Sequence, residues 1–320
     1  MVLALWFAIL PTHRAGAVEP LPAKAADLLK DVHRIVFLGD SITQGGDYVV
    51  DTDCWLLRHG VSAEVLNLGL GSETATDLTA QENDGHAQKH GFGRPFVSER
   101  LDRALAATKP DLLFVCYGMN DGGALPSDDS GTQRFGEAMV RLRERALKAG
   151  VTRVVIFTPP VHDNKKDAAS DPADQNLARY TAWLLSKRNE GWLVVDIHTP
   201  MRAALDQARA TQADFVFAKD GVHPGREGHW LMARQILEQA FGANVAGISS
   251  AEALFAERGA EIRKLAKERA TVLWAAWMTQ IGHKRPSVPG GPNSKPGISV
   301  SDAQAKASGI ADQIQRALQP

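Results

Sequence analysis

The sequence predicts an α/β protein: a three-layer α/β/α sandwich around a five-stranded parallel sheet, followed by a C-terminal helical extension. Three observations predict it. From about residue 32 short apolar runs alternate with amphipathic stretches, which gives a parallel sheet covered on both faces through right-handed crossovers. The alternation stops near Gly242. Beyond it the apolar residues recur at helical spacing, with no further strand signal.

The elements follow in order. Residues 2–10 form an apolar run too short to span a bilayer, followed by Ala15-Gly16-Ala17, a small-x-small cleavage pattern. No Lys or Arg precedes the run, which departs from the usual secretory signal. We expect residues 1–17 to be a signal peptide and the mature protein to be exported, periplasmic or extracellular, without a membrane span. Runs at 35–38, 65–68, 112–117, 154–157 and 193–195 are rich in β-branched and aromatic residues and predict the five strands. Helical patterns lie near 95–107, 132–149, 172–189, 200–210 and 228–241. The sandwich is expected over 32–242 and the extension over 250–320. Within the extension, residues 251–281 read as one long helix. "RPSVPGGPNSKPG" (285–297) reads as a Pro/Gly-rich linker, and residues 301–318 as a short helix capped by Ser301 or Asp302.

Composition narrows the class. Hydrophobic content of 44% and charged content of 23% suit a soluble globular chain. Lys+Arg 36 against Asp+Glu 37 leaves a net charge of −1, so nothing in the bulk charge favours nucleic acid or an anionic membrane. Cys54 and Cys116 are the two cysteines; Cys116 falls in a strand, and spacing alone does not pair them.

The chemistry lies at the ends of the strands. The first run stops at "GDSIT", with Ser41 as a hydroxyl in a tight turn. The second stops at "NLGLGSET", a Gly-rich turn with backbone N–H groups at Gly71 and Ser72. The third stops at "YGMND", with Asn120 just past Tyr117, and after the fifth comes "KDGVHPG", with Asp220 and His223 three residues apart. Carboxyl ends of strands are where open α/β sheets bind ligands. A hydroxyl, an imidazole and an acid to orient it are the parts needed for acyl transfer, with the amides of Ser41 and of the Gly71–Ser72 turn and the Asn120 carboxamide as oxyanion donors. Each block also has a structural explanation: Asp40 and Ser41 as a helix cap, Asn120-Asp121 as a turn, His223 as a helix-entry residue. Their occurrence together, in order, favours chemistry.

On these blocks the chain resembles the SGNH hydrolases, the GDSL-like esterases and lipases: "GDSIT" with Ser41, "NLGLGSET" with Gly71, "GMND" with Asn120, "DGVH" with Asp220 and His223. The resemblance covers about residues 33–242. It implies a flavodoxin-like sandwich and metal-free hydrolysis of an ester by a Ser41-Asp220-His223 triad, with an oxyanion hole of Ser41, Gly71 and Asn120 and no cofactor. Many members carry glycine where Ser72 stands, so Gly71 is the expected backbone donor, with Ser72 beside it.

Other chemistries have less support. No Gly-x-Ser-x-Gly elbow, Gly-x-Gly-x-x-Gly turn or phosphate loop is present. His86 and His90 stand at i and i+4 without a third metal ligand in view, in a polar insertion (86–93) expected near the entrance to the site. His162-Asp163 follows the fourth strand and either lines the cleft or belongs to a solvated loop. The expected partner is a small-molecule or polysaccharide ester, first of all a carbohydrate O-acetyl ester. The alternatives are a lysophospholipase or short-chain lipid esterase, and a non-catalytic carbohydrate-binding module. Trp55, Trp183, Trp192 and Trp230 are candidates for sugar stacking or for the core.

Overall fold

The computed structural model describes residues 19–163 and 171–319; the expected signal segment 1–17 lies outside them. The chain runs α1 (Ala23–Leu28), β1 (Arg34–Gly39), α2 (Ser41–Gly45), α3 (Asp47–Arg58), β2 (Glu64–Gly69), α4 (Ala80–His90), α5 (Leu101–Thr108) and β3 (Leu112–Cys116). It continues through α6 (Met119–Gly122), α7 (Asp129–Lys148), β4 (Arg153–Phe157), α8 (Pro172–Ser186), β5 (Leu193–Val195), α9 (His198–Thr211) and α10 (Arg226–Gln235). Two long helices close it, α11 (Gly259–Ile281) and α12 (Val300–Leu318).

The five strands form one parallel sheet in the order β2-β1-β3-β4-β5, flanked by helices as the sequence predicts. Its centre is aromatic. Phe37, Phe114 and Phe157, one from each of three adjacent strands, are buried, with ring centroids 4.7 Å apart for the first pair and 5.3 Å for the second. Burying each such side chain stabilises the fold by roughly 1.5–3 kcal/mol. Cys54 and Cys116 are buried free thiols.

One expectation for the extension needs correction. Residues 251–281 are not one helix: a 3-10 segment (Glu252–Arg258), itself broken by non-helical backbone at Phe255 and Ala256, precedes α11. The Pro/Gly-rich segment 285–297 lies between α11 and α12. It folds back on itself, with the Ser287 amide donating to Pro292 O at 2.8 Å and His283 Nε2 bonded to Pro289 O at 2.9 Å. A Cβ on Gly291 would stand 1.8 Å from Arg285 O, so only glycine fits there.

The extension is bonded to the sandwich by charge and by apolar contact. On α3, Asp47, Asp51 and Asp53 face Arg263, Lys267 and Arg269 of α11 at 2.6–2.9 Å. Asp51 is fully buried; burial pushes its carboxyl up to about 7 against the pull of Arg263. Further along α11, Trp274 Nε1 donates to Gly69 O at 3.0 Å, and Trp277, Met278 and Ile281 join the common core. Among the described residues no helix is long and apolar enough to cross a membrane.

Candidate active site

β1 ends at Gly39 because α2 starts almost on top of it. A Cβ at Gly39 would stand 2.1 Å from Thr43 Oγ1 and 2.6 Å from Cys116 O. Asp40 is the N-cap of α2, its Oδ1 accepting from the Ile42 amide at 2.9 Å. Cap and reactive hydroxyl therefore coexist in Gly-Asp-Ser. As the first residue of α2, Ser41 keeps its own amide outside the helical ladder and turned to the sheet edge.

Asp220 and His223 sit in the loop between α9 and α10. Asp220 Oδ1 accepts from the amides of Val222 (3.0 Å) and His223 (2.8 Å), and its Oδ2 lies 2.6 Å from His223 Nδ1. His223 Nε2 is 2.8 Å from Ser41 Oγ. With Nδ1 donating to the carboxylate, Nε2 is the acceptor for the serine hydroxyl. Partial burial raises the Asp220 carboxyl, but the hydrogen bonds from His223 and Val222 outweigh it and hold the pKa at about 2. Asp40 differs: complete burial pushes it up to about 7 despite the Ile42 amide.

The donors around Ser41 come from two loops. Gly71 N–H is already bonded, donating to Gln44 Oε1 at 2.6 Å. The neighbouring Ser72 amide has no acceptor among the described residues, and Ser72 stands at φ 66°, the left-handed region that favours glycine. Asn120 is buried on α6; its Nδ2 donates to Glu73 O at 3.0 Å, leaving one N–H over, and its Oδ1 accepts from Arg94 Nη1 at 2.6 Å. Both loops are held from behind. The amides of Ala75 and Thr76 donate to Asp121 at 3.2 and 2.9 Å, and Glu73 meets the buried Arg100 at 2.6 and 2.7 Å and the Tyr117 hydroxyl.

Ser41, His223 and Asp220 are thus in one hydrogen-bonded chain, and Gly71 borders Ser41. His86 and His90 lie side by side on α4 with ring centroids 4.4 Å apart, and His86 Nδ1 bonds to Phe92 O; no group of three or more His, Cys, Asp or Glu placed to hold a metal ion occurs among the described residues. His162 lies beside the catalytic loop, bonded through Nδ1 to Asp171 at 2.5 Å. Trp55, Trp192 and Trp230 are buried, and Trp183, partly buried, packs on the core. Sequence reasoning missed Gln44, Arg94 and Arg285, the last standing against the Gly71 turn. Gln44, three residues after Ser41, offered a signal; the arginines are brought in from a loop and from the extension and offered none.

A family model for the GDSL-like lipase/acylhydrolase family matches residues 37–231. No curated protein matches the chain. Solved structures similar to it include BT4096, a gut microbial diltiazem-metabolizing enzyme, at 20% identity and TM-score 0.47, the match covering 65% of this chain and 46% of that one; this chain therefore spans less than half of that protein. A catalytic mutant of Axe2, an acetylxylan esterase from Geobacillus stearothermophilus, matches at 19% identity and TM-score 0.46, over 65% of this chain and 94% of that one. LAE5, an alpha/beta hydrolase enzyme from the metagenome of Lake Arreo, Spain, matches at 17% and 0.49 with the same coverage.

Proposed function

From a chain that belongs to the GDSL-like lipase/acylhydrolase family, and so is an ester-bond hydrolase, we propose that it removes a short acyl group, in the first place acetate, from a carbohydrate through a Ser41-His223-Asp220 triad. The observation that carries this reading is the continuous hydrogen-bonded path from Ser41 Oγ through His223 to Asp220.

Ser41 Oγ attacks the ester carbonyl carbon while His223 Nε2 takes its proton. Asp220 holds Nδ1 protonated and balances the imidazolium. The oxyanion meets the Ser41 amide, the spare N–H of Asn120 and the Ser72 amide; Gly71 can add its own only if Gln44 turns away. Each such donor is worth roughly 3–4 kcal/mol in the transition state. His223 then protonates the departing alkoxide, the C–O bond breaks, and an acyl-Ser41 ester remains. Water, deprotonated by His223, attacks that ester and returns the serine with release of the acid.

The polar surroundings of Ser41 favour a short acyl group on a polar alcohol over a lipid. An apolar cavity of about 610 Å³, lined by residues such as Leu28, Trp192 and Leu193, includes none of the site residues. We propose export as well, which N-terminal sequencing of secreted protein tests. The activity is tested by hydrolysis of p-nitrophenyl acetate, butyrate and octanoate and by acetate release from acetylated polysaccharides. Acetate is expected to be preferred, with activity surviving EDTA. A preference for octanoate would replace the sugar ester with a lipid ester, and glycan binding without turnover by folded protein would replace catalysis with recognition.

A further inference from the structure

We infer that the substrate carries a carboxylate close to its scissile ester and that Arg285, with Arg94 beside it, recognises that charge. This rests on the esterase reading above and names the kind of ester.

The extension brings Arg285 to the active site. A Cβ built on Gly71 would lie 3.9 Å from Ser41 Cβ and 3.9 Å from Arg285 Nε. The serine and the guanidinium therefore border the same residue of the Gly71 turn. The Arg285 guanidinium lies over the Phe92 ring at 3.8 Å, which fixes its plane and leaves its N–H edges for a planar acceptor. Of those donors Nη1 reaches Pro286 O at 3.0 Å, whereas Nε is buried with no acceptor.

No carboxylate pairs with Arg285 or with Arg94 among the described residues, although most arginines of this chain have such a partner. Arg94 spends one N–H on Asn120 and stands in the field of the buried Asp121 and Asp40. Arg285 has no such compensation: burial alone pulls its pKa down. Both charges bear on one imidazole, since burial first, then Arg94 and Arg285, lower the His86 pKa. Beside them a hollow of about 320 Å³ is lined by Lys284, Arg94, Phe92, Asn83 and Glu99; Glu99 is committed to Arg103 at 3.2 Å. A partly buried cation without a counter-ion is costly, and the planar fork of a guanidinium is matched to a carboxylate.

Two matched pairs of esters test the inference and tell which side of the ester bears the charge. Mono-p-nitrophenyl succinate against p-nitrophenyl pentanoate probes the acyl side, and 4-acetoxybenzoate against phenyl acetate the alcohol side. In at least one pair kcat/KM for the carboxylate member should exceed its neutral match about tenfold or more, the ratio falling with ionic strength. Arg285→Gln should bring that ratio close to one, and Arg285→Lys should retain part of it; the ratio is an internal control for folding. Equal rates in both pairs, or a preference untouched by Arg285→Gln, would overturn the inference while leaving the esterase standing. Calorimetric binding of the same esters to Ser41→Ala protein makes the test independent of turnover. Tighter binding of the carboxylate member there supports the inference even if no ester is cleaved, and equal binding overturns it.

Discussion

Two Asp–His pairs lie side by side in this molecule, and they are nearly the same object. In one, His223 Nδ1 meets Asp220 at 2.6 Å; in the other, His162 Nδ1 meets Asp171 at 2.5 Å. They also touch the same loop, for a Cβ on Gly221 would stand 3.4 Å from His162 Nε2. What separates them is what each imidazole faces with its other nitrogen. His223 Nε2 faces the Ser41 hydroxyl at 2.8 Å, and Ser41 in turn borders the Gly71 turn. His162 faces the backbone of the loop that carries His223, and its own amide is held by Asp174 at 3.0 Å. The comparison teaches that an acid–imidazole pair is common equipment, and that the hydroxyl on its far side is what singles out His223 for the proposed role. The second pair buttresses the first.

The comparison can be broken in order of expected effect. Ser41→Ala leaves His223 with no hydroxyl, the condition of His162, and should lower kcat for an aryl acetate by at least roughly a thousandfold with an unchanged far-UV spectrum. A variant keeping most of its rate would place the nucleophile elsewhere. Asn120→Ala strips a donor that His162 never had; kcat should drop roughly a hundred- to a thousandfold with KM almost constant. A raised KM at constant kcat would make Asn120 a ground-state contact. His162→Ala should cost only about a fewfold in kcat through a loosened Asp220 loop, far less than His223→Ala. Equal losses from the two would end the distinction drawn above.

The smallest effect concerns a third carboxylate. Asp220, rich in donors, stays ionised down to about pH 2, whereas buried Asp40 titrates near 7. Because its folded pKa is raised above the ordinary 3.8, Asp40 contributes stability that is complete below about pH 4 and lost as pH rises through 7. Asn at this position does not titrate. The melting temperature of Asp40→Asn relative to wild type should therefore climb by about a few degrees between pH 4 and pH 8. A flat difference would mean that Asp40 is already ionised in the folded protein.

Much of this was legible in the sequence because it is local. The five strands are continuous apolar runs, which only a sheet buried on both faces requires; the Ser41, Gly71 and Asn120 blocks each follow one within a few residues, and the Asp220–His223 block is a local Asp-x-x-His pattern in the loop after α9. The turn at Ser72 was legible too, as a departure from glycine, and its positive φ supplies the reason. What escaped depends on contacts across the fold. Gln44 reaches Gly71 over 27 residues, and Arg263 of α11 reaches Asp51 of α3 over 212; no periodicity encodes such pairings. The Pro/Gly composition of 285–297 signalled a linker, but the contacts that fold it back, such as the Ser287 amide on Pro292 O and the close approach at Gly291, are not written in composition.

The acidic row on α3 bears on how this protein can be inherited. Asp47, Asp51 and Asp53 lie inside the family's shared body, yet their counter-charges are Arg263, Lys267 and Arg269, beyond its matched end at residue 231. A chain ending near Gly242 would leave a buried aspartate without its cation and bare the face under Trp277 and Met278. A counterpart exchanged for either half has to bring the matching charges, so the acidic row on α3 and the basic row on α11 form one unit across residue 242.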